Sequence, residues 1–144
     1  MIKLEWKIEE IVDKLLGIPY KHNGRSEKGL DCWGLVYIFF KELGVYLPSG
    51  DGYEISDDWY RIVPERYLNA LKTLGEEVGN INNLQLLDIP YFRLYKNYVT
   101  HTGVMINNTY FIHVLIDKEV RVDNINRRFW KRNYAGARRL NIEL

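Results

Sequence analysis

A chain of 144 residues is long enough for a single domain with a core of its own, and the whole of residues 1–144 reads as one unit. An apolar content of 47% and an aromatic content of 14% exclude a disordered protein. A formal net charge of +1 gives no global pull toward nucleic acid or an anionic membrane surface. The single cysteine excludes an internal disulfide. No apolar run is long enough to span a bilayer, and Met1 to Trp6 contain neither an apolar h-region nor a small-residue cleavage site. That predicts synthesis in the cytoplasm without a signal-peptide route.

Ile8, Ile11, Val12, Leu15 and Leu16 recur at helical spacing and predict an amphipathic helix that stops at Gly17, with Pro19 beyond it. Residues 20–31 read as a polar loop. From Cys32 to Leu43 nearly every position is apolar or aromatic, which predicts a helix buried on most sides and closed by Gly44. Residues 45–56 read as an irregular loop. Asp57 and Asp58 open a candidate third helix running to about Leu74, with Pro64 in its first turn or splitting it. The second half then changes period. Segments 86–92, 100–106, 109–115 and 119–123 are rich in Val, Ile, Tyr and Phe and predict an antiparallel meander. A last strand is expected near Tyr134 to Leu140, after the basic stretch 127–132. Helices first and strands second predict an α+β fold with the helices packed on one face of the sheet.

Cys32 follows Asp31, a good N-cap residue, at the start of the buried helix. Backbone N–H groups there favour a thiolate, so a depressed pKa is expected. A cysteine nucleophile needs a base, and the base needs an orienting partner. His101 and His113 occupy neighbouring predicted strands and suit these roles. Hairpin parity decides whether they meet. A two-residue turn at Asn107-Asn108 places the imidazoles on opposite faces, whereas a three-residue loop, 106–108, or a five-residue one pairs His101 with His113 and places both on one face, so the site requires an odd loop or a bulge. Gly103, on the same face as His101, leaves room beside the ring. His22 reads as a polar loop residue, Asp88 as a strand-start residue, and the basic run as a solvated face. One Cys and two strand His lack the paired spacing of a zinc site.

The segment Gly17-Ile18-Pro19-Tyr20-Lys21-His22-Asn23-Gly24-Arg25-Ser26, then Leu30-Asp31-Cys32-Trp33-Gly34, resembles the first motif of the NlpC/P60 family. Thr100-His101-Thr102-Gly103, followed by Ile112-His113, resembles the second. The resemblance implies a papain-like α+β fold and cysteine endopeptidase activity on bacterial peptidoglycan stem peptides, with no cofactor and no metal. It implies Cys32 as nucleophile, His101 as base, His113 as orienting residue and Tyr20 as a hydroxyl near the oxyanion. Asp31 and Trp33, flanking the cysteine, are then expected to contact substrate.

Trp33 stands where the family commonly has Ser, and an extended segment, about 45–80, separates helix from sheet. Both features resemble the phage-tail branch of the family and imply tail proteins as partners. Three other readings stay open beside the peptidase: a nucleic-acid-binding domain, which would need the arginines of 127–132 to gather into a patch with other basic residues; a non-catalytic tail assembly module; and a thiol amidase or acyl hydrolase on the same fold. An apolar groove beside Cys32 would favour the last.

Overall fold

The computed structural model describes residues 3–48 and 65–143. Helix α1, Leu4–Leu15, turns Ile8, Ile11 and Leu15 inward, as its periodicity requires. Gly17 follows it at φ +87°. The polar loop holds a small antiparallel hairpin, β1 (Arg25–Ser26) with β2 (Gly29–Leu30). Helix α2, Cys32–Glu42, starts where Asp31 accepts a 2.7 Å bond from the Gly34 N–H, and it buries Cys32, Trp33, Leu35, Val36, Phe39 and Phe40. Gly44 stops it at φ +81°, a left-handed conformation that favours glycine.

Of the candidate third helix, the described part is a short helix, α3, at Arg66–Leu71; the stretch 57–64, with Pro64, lies outside the described residues. The predicted loop 45–56 is described only to Pro48.

The strand half departs from a simple meander. A four-stranded sheet has the order β3-β9-β4-β5, built from β3 (Glu76–Val78), β4 (Ile89–Tyr95), β5 (Tyr98–Thr102) and β9 (Tyr134–Arg139). A three-stranded sheet has the order β6-β7-β8, from β6 (Val104–Met105), β7 (Tyr110–His113) and β8 (Arg121–Asn124). The last strand, β9, returns to sit between β3 and β4. The segment expected as one strand over 100–106 is broken at Gly103 into β5 and β6. A Cβ on Gly103 would lie 2.5 Å from the Ile112 carbonyl oxygen and 3.0 Å from the His113 Cβ, so the close approach of the strands excludes a side chain there.

The first hairpin also starts later than its composition suggests. Strand β4 runs through Arg93 to Tyr95, and the chain turns at Lys96, φ +52°, into Tyr98. The basic stretch contains a short helix, α4, at Arg128–Asn133. Its Trp130 is buried, while Arg127, Arg128, Lys131 and Arg132 stay exposed, as expected of a solvated face.

Two apolar clusters result. One gathers α1, α2 and α3 against Ile89, Tyr91, Val99 and Ile112. The other joins Phe92, Met105, Phe111, Ile125, Trp130 and Ala137. Alternating strand residues feed the two: Tyr91 and Ile112 go to the first, Phe92 and Phe111 to the second. Among the described residues no helix is long and apolar enough to cross a membrane.

Candidate active site

Cys32 is the first residue of α2, and the fold holds it there by anchoring Asp31. The Asp31 carboxylate is fully buried and accepts from the Gly34 N–H, from Arg25 Nη1 at 2.7 Å and from the Asn23 N–H at 3.0 Å. Gly34 packs against the Gly24 carbonyl, where a Cβ would collide, so the loop and the helix start are locked together. Asp31 is therefore a cap and ion-pair partner. Trp33 is also buried, its indole N–H donating to the Pro48 carbonyl at 2.8 Å. Both side chains are buried, and their polar groups are bonded inside the fold.

A cavity of about 580 Å³ opens beside the cysteine. Cys32, His101, Tyr20 and Tyr67 line it, with His22 and Thr100. Leu94, Tyr95, Val114, Leu115 and Ile116 form an apolar wall. His22 thus belongs to the cavity, although its sequence context reads only as loop. Tyr67, carried by α3, hydrogen-bonds the Cys32 thiol, and burial holds its phenol well above the usual range, so its O–H remains a donor.

The histidines meet as hairpin parity requires, in a register shifted from the expected one. The Ile106 N–H donates to the Tyr110 carbonyl at 2.9 Å, so the loop is 107–109 rather than 106–108. Asn107 Oδ1 closes it by accepting from the N–H groups of Thr109 and Tyr110, at 2.8 and 2.7 Å. Val104 pairs with Ile112, which carries on to set Gly103, not His101, against His113. The parity is still odd-looped, and both rings point the same way. His101 Nε2 lies 2.8 Å from His113 Nδ1. His113 Nε2 in turn lies 2.6 Å from Asp123 Oδ2, on β8.

Aromatic rings enclose this pair. Trp130 stacks on His101 at 5.7 Å and meets His113 edge-on at 4.8 Å, while Phe111 stacks on His113 at 4.4 Å. Burial drives the His101 pKa well below its ordinary value, with the His113 ring adding to the effect. Burial and then Arg121 lower His113 to about 3.

The cysteine behaves differently from its expectation. Burial, followed by the Asp31 carboxylate, pushes its pKa up to about 12, and bonds from Tyr67 and the Thr102 and Trp33 backbones only partly offset this. A helix N-terminus is worth less here than desolvation beside a buried carboxylate. The resting thiol is neutral, its Sγ 3.9 Å from the Thr100 carbonyl. Asp88 is the strand-start residue expected; it is buried and paired with Arg139 at 2.8 Å. Among the described residues no cluster of His, Cys, Asp and Glu is arranged to hold a metal ion.

A cysteine at a helix start, facing a histidine carried by an antiparallel sheet, is the arrangement of the papain-like α+β class. The NlpC/P60 family model matches residues 17–139, and the chain belongs to that family. It is 32% identical over 127 residues to the "Probable peptidoglycan endopeptidase LytE" of Bacillus subtilis (strain 168), covering 87% of this chain and 31% of that protein. It is 30% identical over 125 residues to the "Murein DD-endopeptidase MepS/Murein LD-carboxypeptidase" of Escherichia coli (strain K12), covering 86% of this chain and 56% of that protein. The chain thus spans about a third to about half of these relatives. The crystal structure of an NlpC/P60 family protein from Bacillus cereus ATCC 10987 superposes with a TM-score of 0.68 at 25% identity, over 96% of this chain and 41% of that one.

Sequence reasoning missed Asp123 and Tyr67. Asp123 lies two residues from Arg121 on a strand, so alternation alone places it on one face with Arg121. The register of β7 and β8 was the missing information. Tyr67 carries no local signal, since it acts from the segment between helix and sheet.

Proposed function

We propose that this protein is a thiol endopeptidase cutting peptide bonds in peptidoglycan stem peptides, with Cys32 as nucleophile, His101 as base and His113 as orienting residue. The observation that carries this reading is the placement of Cys32 and the hydrogen-bonded His101 on one cavity. The names of the relatives LytE and MepS supply the substrate class.

The chemistry starts from a neutral pair. As substrate seats, the Cys32 S–H proton passes to His101 and the thiolate attacks the scissile carbonyl. The oxyanion accepts from the Cys32 backbone N–H and the Tyr20 hydroxyl. The His101 imidazolium then gives its proton to the leaving amine, which departs and leaves a thioester. His101 next takes a proton from water, whose oxygen attacks the thioester and releases acid and thiol. Tyr67 stabilises the charge on sulfur during the first step.

Delivery by phage-tail proteins is the finer part of this reading, and Trp33 after the cysteine with the long segment 45–80 supports it. One observation favours a second reading, a thiol amidase or acyl hydrolase: the wall formed by Leu94, Val114, Leu115 and Ile116 suits an apolar acyl group. Mass spectrometry of purified stem peptides, incubated with wild type and with Cys32→Ala, tests the proposal. Cleavage by wild type alone is expected; intact peptides in both samples would reject it.

A further inference from the structure

We infer that Asp123 is a positioning residue that fixes the proton positions on both imidazoles and so keeps His101 Nδ1 bare for the thiol proton. The inference rests on the thiol-hydrolase reading of Cys32 and His101. Its carrying observation is an unbroken chain of two short bonds, His101 Nε2 to His113 Nδ1 at 2.8 Å and His113 Nε2 to Asp123 Oδ2 at 2.6 Å.

Donors and acceptors decide where the protons sit. An ionised carboxylate only accepts, so His113 must donate to Asp123 from Nε2. A neutral imidazole carries one N–H, which leaves His113 Nδ1 as an acceptor. His101 must then donate to it from Nε2. That is the single proton of a neutral His101, so its Nδ1 has a free lone pair. Nδ1 is the nitrogen left for the thiol proton. Without Asp123 the opposite arrangement is equally available: His113 can donate from Nδ1 to His101 Nε2, which places a hydrogen on His101 Nδ1. A ring in that state cannot take a proton from sulfur.

The surroundings make proton placement matter. The rings are enclosed by Trp130 and Phe111, with Phe92 packed against His101 at 5.8 Å, so bulk water is kept from the pair. Burial together with Arg121 keeps His113 neutral. Asp123 is part-buried and stands in register with Phe111, so it reaches His113 diagonally across the strands. Its position on β8 therefore follows from the same register that brings the two histidines together.

The test uses the whole chain labelled with nitrogen-15 histidine. It holds three histidines, so the ring signals can be assigned by single substitutions. Long-range proton–nitrogen correlation spectra report which ring nitrogens carry hydrogen. Wild type is expected to show N–H at Nε2 and a bare Nδ1 on both His101 and His113. Asp123→Asn and Asp123→Ala are expected to move His101 toward the Nδ1–H form. In the same variants kcat should fall about 10- to 100-fold, the range for a group that orients a reacting ring from behind, with KM within about twofold. Asp123→Glu should recover part of the loss. A wild-type His101 protonated at Nδ1, or an Asp123→Ala protein with unchanged tautomers and unchanged kcat, would overturn the inference. Should wild type cleave no stem peptide, the peptidase reading fails while the wild-type spectra still decide the proton positions. Should Asp123→Ala not fold, the wild-type and Asp123→Asn spectra decide.

Discussion

His101 and His113 share a 2.8 Å hydrogen bond although they sit on different β-sheets of the fold. The break at Gly103 allows this, because a side chain there would push the two strands apart. The site thus depends on an irregularity, and its predicted behaviour follows from how deeply the pair is buried.

Stability should fall as the solution is acidified. Both imidazoles have folded pKa values below their unfolded value of about 6.5. Between that value and about 3, the unfolded chain binds protons that the buried His113 ring refuses, and His101 acts in the same direction, so acid favours unfolding. Their stabilising contribution is complete above the unfolded pKa and is lost as pH falls through the folded one. Thermal midpoints of wild type and of a His101→Asn, His113→Asn double variant, read from neutral pH downward, check this. The double variant should show the shallower decline; equal slopes would refute the assignment.

The thiol should be slow to alkylate at neutral pH. With its pKa pushed up to about 12 by burial and Asp31, Cys32 carries almost no resting thiolate. The iodoacetamide rate should keep rising well above the free-thiol midpoint of about 8.5. Asp31→Asn keeps a capping oxygen and removes the charge, so it should bring the midpoint down. A wild-type midpoint below that of free thiol would contradict the neutral resting pair.

Substitutions at His113 should grade with hydrogen-bonding ability. Asparagine offers an oxygen that can accept from the His101 Nε2–H, whereas alanine offers nothing. Expected kcat therefore runs wild type, then His113→Asn, then His113→Ala, with the last about 10²- to 10³-fold down. Steady-state kinetics on a stem peptide give the ranking. Alanine matching asparagine would show that orientation is not what His113 supplies.

Cys32→Ala should separate catalysis from folding. Hydrolysis should vanish, while the loss of one small buried side chain costs about 1 kcal/mol, or a midpoint change of about 2–4 °C. Activity and thermal midpoint measured on the same preparation decide it. A large destabilisation together with an inactive wild type would make the cysteine a packing residue.

Trp130→Ala should damage both. The indole touches His101, His113, Phe92 and Phe111, with the last two at 4.9 and 5.0 Å. Removing so large a core side chain costs about 3–5 kcal/mol. It also admits water to the rings, so the histidine pKa values should rise toward their ordinary range. Denaturant unfolding and histidine titration by NMR measure the two effects.

The helical half was legible because apolar period, Asp31 and the glycine stops all point the same way, and α1 and α2 follow their predicted spans closely. The sheet was less legible because pairing is non-local. Nothing near Tyr134 says that its strand will sit beside Ile89–Tyr95, and nothing in Lys96-Asn97 marks so tight a turn. The same limit applied to the site. Tyr20 and the two histidines were readable from motif and parity, and Cys32 from its place before a helix. Its protonation state was not, since burial and the Asp31 carboxylate outweigh the helix end that was visible. Trp130 looked like part of a charged surface run because its neighbours are solvated, while its own side chain turns inward.

The loop 107–109 works as a parity lock on the site. Strand residues alternate faces, so a chain one residue shorter or longer in this loop would turn His113 outward and send Ile112 or Val114 to meet His101. A change of two residues would restore the face and only slide the contact along the strand. Length variation at this exposed turn is therefore tolerable in steps of two and lethal to the site in steps of one. The constraint on the facing of His113 acts through counting, so Asn108 and Thr109 can drift in identity far more freely than in number, while Asn107 is also held by the turn its Oδ1 closes.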